Sequence, residues 1–132
     1  MPASPRKPAA VLVIDDDKNQ RSMLVFSLRD QGYLVTAVES GEAALAAAQA
    51  QRFDVAICDV MMPGLDGVET LKALKARAPR LEVVMATGYA TPKTAVASMK
   101  LGAFNYIAKP YELQDLLAVL EKALARGRQR PA

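Results

Sequence analysis

Short apolar or β-branched runs alternate five times with longer segments of helical period, and few folds accommodate that order. A strand followed by a helix before the next strand argues a βα repeat and a parallel sheet. The runs are VLVI at 11–14, YLVTAV at 33–38, DVAIC at 54–58, EVVMA at 82–86 and AFNYIA at 103–108. Four of them are followed at once by reactive polar residues: Asp15 and Asp16, Asp59, Thr87, and Lys109. In one open parallel sheet these residues meet at one edge, outside the carboxyl ends of the strands, where α/β folds place their sites. Three carboxylates, a hydroxyl and an ammonium brought together there make a divalent-cation and phosphoryl site.

The segments between the runs carry helix signals. Asp17 is placed to cap a first helix with Gln20 three residues on, and Gly32 closes it. Ser40 caps the alanine-rich EAALAAAQA. Pro63 and Gly64 break the chain after the third run, and Asp66 with Glu69 forms a second capping-box pattern ahead of the stripe Val68, Leu71 and Leu74. Thr91 followed by Pro92 opens a helix that runs through Met99 and stops near Gly102. Leu113, Leu116, Leu117, Leu120 and Leu124 form one apolar face of a last helix, read as core in preference to a partner surface.

At 132 residues the chain is expected to be one domain able to bury a core without staples. The expected division is an irregular tail over 1–9, marked by Pro2, Pro5 and Pro8, an ordered domain over 10–126, and a basic tail or linker start over 127–132. Whether this is a whole protein or the amino-terminal part of a larger transcription factor is left open; these 132 residues contain no recognisable helix-turn-helix pattern. The net charge of +3 gathers at Arg6 and Lys7 and at Lys122, Arg126, Arg128 and Arg130. No aromatic residues interleave with these cations, so they read as a solvated helix end and not as a nucleic-acid surface. No apolar stretch approaches the roughly 18 residues of a membrane span, and the opening lacks a signal-peptide core, so a cytoplasmic location is expected. Cys58, the single cysteine, rules out an internal disulfide and reads as a small buried hydrophobe. Histidine is absent, which removes Ser-His-Asp and Cys-His catalysis and requires any phosphohistidine to come from a partner.

Paired carboxylates in a short loop raise each other's pKa, and a hard cation offsets that repulsion. Asp15, Asp16 and Asp59 give an oxygen-only set suited to Mg²⁺, with Mn²⁺ as a substitute. Asp59 carries more weight than an acidic loop alone, because a charge at the end of an apolar run is unfavourable unless compensated. A carboxylate can act as a nucleophile toward phosphorus, giving an aspartyl phosphate. Lys109 would then neutralise the transferring group and Thr87 would donate its hydroxyl to it. Taken singly, the two read as a surface lysine before a turn proline and a strand-end threonine.

The segments VLVIDDD, CDVMMPGLDG, ATGYA and LGAFNYIAKPY, in that order and spacing, resemble a receiver domain of the two-component response-regulator family from about Ala10 to Arg126. The KLGAFNYIAKP stretch is similar to bacterial receivers of the nitrogen-regulator type. The resemblance implies a flavodoxin-like, doubly wound α/β fold with strand order 2-1-3-4-5 and five flanking helices. It implies that Asp59 is the phosphoacceptor, Asp16 a direct metal ligand, Asp15 an acid acting largely through water, and Met61 the donor of a backbone carbonyl to the metal. Thr87 and Lys109 match the family's hydroxyl and lysine, and Tyr106 its aromatic switch; the Lys109–Pro110 bond is expected to be cis. The implied partners are a sensor histidine kinase or histidine phosphotransfer protein and an unknown output protein or domain. They would be served by a monomer or a weak, phosphorylation-dependent homodimer, with no direct nucleic-acid or membrane contact. Switching would couple movement of Thr87 toward the phosphoryl group to inward rotation of Tyr106, altering the face of helix 4, strand 5 and helix 5.

Two other readings stand beside this one. A Mg²⁺-dependent phosphohydrolase with an aspartyl nucleophile usually carries a second acid two residues on, where this chain has Met61, and places its nucleophile on the first strand. A phosphorylation-independent interaction module would leave the acid cluster without a use. Met61 and Tyr89, two residues beyond Asp59 and Thr87, are bulky and have no acid or base function near neutral pH, so slow self-dephosphorylation is expected.

Overall fold

A computed structural model describes residues 8–62, 64 and 66–129. The expectations for Pro2, Pro5, Arg6, Lys7, Pro63 and Arg130 lie outside these residues. Strands and helices alternate as β1 (Ala10–Ile14), α1 (Lys18–Asp30), β2 (Leu34–Val38), α2 (Gly41–Ala50), β3 (Val55–Asp59), α3 (Gly67–Arg77), β4 (Glu82–Thr87), α4 (Pro92–Lys100), β5 (Asn105–Ala108) and α5 (Leu113–Gln129). The strands form one parallel sheet in the order 2-1-3-4-5, as the resemblance to receiver domains implies.

Burial explains the strand compositions. The three central strands β1, β3 and β4 are covered on both faces and are almost wholly buried, whereas edge strands β2 and β5 are only partly so. Successive residues alternate between two core layers. Leu12 and Ile14 of β1 join Leu71 and Leu74 of α3 on one face; Val11 and Val13 join Leu28 of α1 and Leu116 and Leu120 of α5 on the other. Cys58 packs in the first layer, as a small hydrophobe should. Of the leucine stripe on α5, Leu117 and Leu124 pack against this second layer, while Leu113 lines the cleft at the carboxyl edge of the sheet.

Helix ends follow the capping chemistry with one exception. Asp66 and Glu69 make both halves of a capping box, Ser40 and Thr91 cap α2 and α4, and Pro92 takes the first turn of α4. Asp17 accepts the Gln20 backbone N–H at 2.9 Å, but the Gln20 side chain makes no return bond to the cap. Its Oε1 instead accepts from Lys109 Nζ at 2.6 Å, because the ammonium is a stronger donor than a solvated backbone N–H.

At the opposite edge of the sheet, Arg126 departs from the reading of a solvated helix end. Its Nε lies 3.3 Å from a carboxylate oxygen of the fully buried Glu82, and its guanidinium sits 5.6 Å from the centre of the Phe104 ring. A carboxylate at the start of a central strand needs a cation, and α5 passes where it can supply one. Lys122 and Arg128 are exposed, as expected. Among the described residues no helix is long and apolar enough to cross a membrane.

Candidate functional site

The register of the sheet brings the polar residues together. Ile14 pairs with Cys58, so Asp15 and Asp59 follow at the same level; Asp59 pairs with Ala86 and Thr87 with Ala108, which places Thr87 and Lys109 one step further along. Asp15 is buried, Asp16 exposed and Asp59 intermediate, and each offers an oxygen within 4.8 Å of the other two. Both oxygens of the first acid are used: Asp15 Oδ1 accepts the Asp17 N–H at 2.9 Å and Oδ2 accepts Lys109 Nζ at 3.1 Å. Asp59 is held in the same way, with Oδ1 accepting the Met61 N–H at 3.1 Å and Oδ2 accepting Lys109 Nζ at 3.3 Å.

Lys109 reaches this position from the end of β5. Its backbone N–H donates to the Thr87 carbonyl at 2.8 Å, and the following bond to Pro110 is cis, as expected. The three ammonium donors are all engaged, by Asp15, Asp59 and Gln20. Burial lowers the Lys109 pKa, but the bonds and charges of Asp15 and then Asp59 outweigh it, so the ammonium stays protonated well past neutrality. The Asp59 pKa is also raised, which for a carboxylate disfavours the charged form: burial raises it by more than the Met61 N–H and Lys109 lower it. Three carboxylates facing one ammonium leave negative charge uncompensated. The all-oxygen donor set therefore fits a hard divalent cation.

The remaining residues frame the acids. Thr87 is fully buried and its hydroxyl accepts the Tyr89 N–H at 3.1 Å. Met61 and Tyr89 are exposed and line the cleft above Asp59. Tyr106 is half-buried on β5 beside Met85, and its hydroxyl lies 2.5 Å from that of Thr94 on α4. All the acids, the hydroxyl and the lysine singled out in the sequence thus lie at one edge, and Tyr106 lies one strand from Thr87.

Three residues in this region were not singled out as site residues by sequence reasoning. Gln20 reads only as a helix-start residue, although its place in the first turn of α1 already directs it to the sheet edge. Thr94 lies in the first turn of α4, behind the Thr91 cap, and nothing in its local sequence marks it. Gly67 approaches the backbone of Asp59 and Val60 so closely that a Cβ there would lie 2.0 Å from the Asp59 carbonyl oxygen.

Comparison with known proteins agrees with this geometry. A family model described as the response regulator receiver domain matches residues 11–121. The chain is 44% identical over 115 residues to the transcriptional regulatory protein ZraR of Escherichia coli K12, covering 87% of this chain and 26% of that protein. It is 35% identical over 120 residues to the DNA-binding transcriptional regulator NtrC of Salmonella typhimurium, covering 91% of this chain and 26% of that one. Among solved structures, a CheY-like receiver domain protein from Methanospirillum hungatei superimposes with a TM-score of 0.90 at 28% identity, over 93% of this chain and 98% of that chain. The chain therefore spans about a quarter of the length of such curated relatives.

Proposed function

The chain belongs to the response regulator receiver domain family, and from that premise we propose that Asp59 accepts a phosphoryl group from a partner's phosphohistidine. As a receiver it is a signalling module and not a classical enzyme. The observation that carries the assignment to Asp59 is the Lys109 ammonium bridging Asp15 and Asp59 at the carboxyl edge of β1 and β3. An Asp59 carboxylate oxygen attacks phosphorus, the new P–O bond forms as the P–N bond breaks, and the leaving imidazole takes the bonding pair. Lys109 redirects the donor it now gives to Asp59 toward a phosphoryl oxygen, and keeps its bond to Asp15. Thr87 gives up its local contact with the Tyr89 N–H and donates its hydroxyl to a second phosphoryl oxygen.

Asp15, Asp16 and Asp59, with the Met61 carbonyl, would hold Mg²⁺ or Mn²⁺, which when bound supplies positive charge to the acids and to the transferring group. Tyr106 is the switch. Inward rotation of its ring follows the movement of Thr87, releases the Thr94 contact and alters the face formed by α4, β5 and α5. The unit that performs this extends over 10–126, with residues 1–9 and 127–132 flanking it. Its donor is a histidine kinase or histidine phosphotransfer protein, it acts in the cytoplasm, and its output is a further protein or domain. It works as a monomer or a weak homodimer that forms on phosphorylation, without direct nucleic-acid or membrane contact.

Intact mass after incubation with acetyl phosphate tests the proposal. The expected result is one Mg²⁺-dependent phosphoryl adduct on the wild type and none on Asp59→Asn. Equal adducts on both proteins, or none on a folded wild type that binds Mg²⁺, would overturn it, the latter in favour of a phosphorylation-independent interaction module.

A further inference from the structure

Lys109 is held by three acceptors, and one of them lies outside the acid cluster. Gln20 Oε1 accepts from Nζ at 2.6 Å, shorter than the bonds to Asp15 at 3.1 Å and Asp59 at 3.3 Å. An ammonium only donates, so the amide oxygen and not its nitrogen must face it. We propose that Gln20 is a positioning residue for phosphoryl transfer, acting through Lys109. The proposal rests on the reading of Lys109 as the cation of the reaction.

Two features of the fold fix the backbone from which the exposed Gln20 side chain reaches Lys109. Its backbone N–H is tied to Asp17 Oδ1 at 2.9 Å, which sets the first turn of α1. Its neighbour Arg21 donates from Nη1 to the Asp15 carbonyl at 2.8 Å, which ties that turn to the end of β1. Gln20, itself exposed, therefore reaches from a turn pinned on both sides to a lysine whose side chain is only 17% exposed.

Its chemistry suits the task. During transfer Lys109 must swing one donor from Asp59 to a phosphoryl oxygen while its nitrogen stays in place. Two fixed acceptors, Asp15 and Gln20, allow that; Asp15 alone would let the ammonium pivot. A third carboxylate could also anchor Nζ, but it would add repulsion against the incoming phosphoryl group. A neutral amide oxygen anchors without that repulsion. Gln20→Met keeps length and removes the acceptor; Gln20→Glu keeps the acceptor and adds the charge.

Two measurements test this. In the unphosphorylated protein, exchange of the Lys109 ammonium protons with water, followed by ¹⁵N NMR, should quicken on Gln20→Met. With acetyl phosphate, Gln20→Met should react about tenfold more slowly, the scale of one hydrogen bond to a charged group. Gln20→Glu should also be slower than wild type. In Gln20→Met the Mg²⁺ concentration giving half the maximal rate should stay unchanged, because the acids are untouched, and the denaturation midpoint should fall only by the loss of one exposed hydrogen bond. In a Lys109→Met background the Gln20 substitution should have no further effect. An unchanged rate, a shift confined to Mg²⁺ half-saturation, or the same loss in the Lys109→Met background would overturn the proposal. A wild type that takes no phosphoryl group would overturn the reading of Lys109 as well, whereas unaltered ammonium exchange in Gln20→Met would overturn the Gln20 assignment alone.

Discussion

Gly67→Ala tests how closely the start of α3 is fitted to the end of β3. A Cβ at this position would stand 2.0 Å from the Asp59 carbonyl oxygen, 2.5 Å from Val60 Cα and 2.8 Å from the Asp59 carbonyl carbon. All three are backbone atoms, so no side-chain rotation relieves the clash. The Asp59 oxygen would have to retreat by about 1.4 Å to reach ordinary contact at 3.4 Å. A shift of that size parts the Gly67 N–H from the Val60 carbonyl, now 2.9 Å apart. Overpacking costs about 2 kcal/mol and the lost hydrogen bond about 1 kcal/mol more. Against the roughly 5–15 kcal/mol of a typical domain that is a large loss, worth about 10 °C in Tm. Gly88→Ala is the control, because nothing lies within 4 Å of its Cβ; it should change stability by less than about 0.5 kcal/mol. Urea denaturation of both variants measures the difference. Equal midpoints for the two would refute the steric argument.

Asp59→Asn should be more stable than wild type at pH 7 without metal. Burial raises the Asp59 pKa even with the Lys109 attraction included, so the folded state holds this proton more tightly than the unfolded chain does. The stability gained is present below the unfolded value and is lost as pH rises through the folded one, at about 1.4 kcal/mol for each pH unit that separates the two values. The advantage of the Asn variant should therefore vanish in acid, and Mg²⁺ should stabilise the wild type more than the variant; urea midpoints across pH, with and without the ion, decide both. Leu120→Ala removes a fully buried side chain between α5 and the sheet and should cost about 3–5 kcal/mol in a urea titration. Small or polar residues in place of Met61 and Tyr89, which line the cleft above Asp59, should speed the decay of labelled phosphoprotein; an unchanged rate would remove their role in shielding it.

The alternation of strands and helices, most of the capping and the five polar residues at the sheet edge were legible because each depends on local pattern, whereas the strand order came only from the resemblance to the receiver family. Asp15, Asp59, Thr87 and Lys109 all follow apolar runs, and a parallel sheet aligns the ends of such runs without further information. Asp66 with Glu69 and Thr91 with Pro92 declared helix starts within four residues. Contacts between elements distant in sequence carried no such signal. Gln20 has the spacing of a capping box, and only the arrival of Lys109 from β5 draws its side chain away. Arg126 looked like one more cation at a helix end because nothing near it in sequence shows that α5 crosses the buried Glu82. Gly67 has an ordinary backbone conformation, so its need for a bare Cα is visible only once β3 and α3 are packed together.

The most direct test of the account is to find the phosphorylated atom. An acyl phosphate is reduced by borohydride to the alcohol, which turns aspartate into homoserine and leaves phosphoserine or phosphothreonine untouched. After reaction with acetyl phosphate and Mg²⁺, borohydride treatment and peptide mapping should give homoserine at position 59 and nowhere else. Homoserine at position 15 or 16, or a phosphoryl group retained on a hydroxyl such as that of Thr87, would contradict the assignment of Asp59 as the phosphoacceptor.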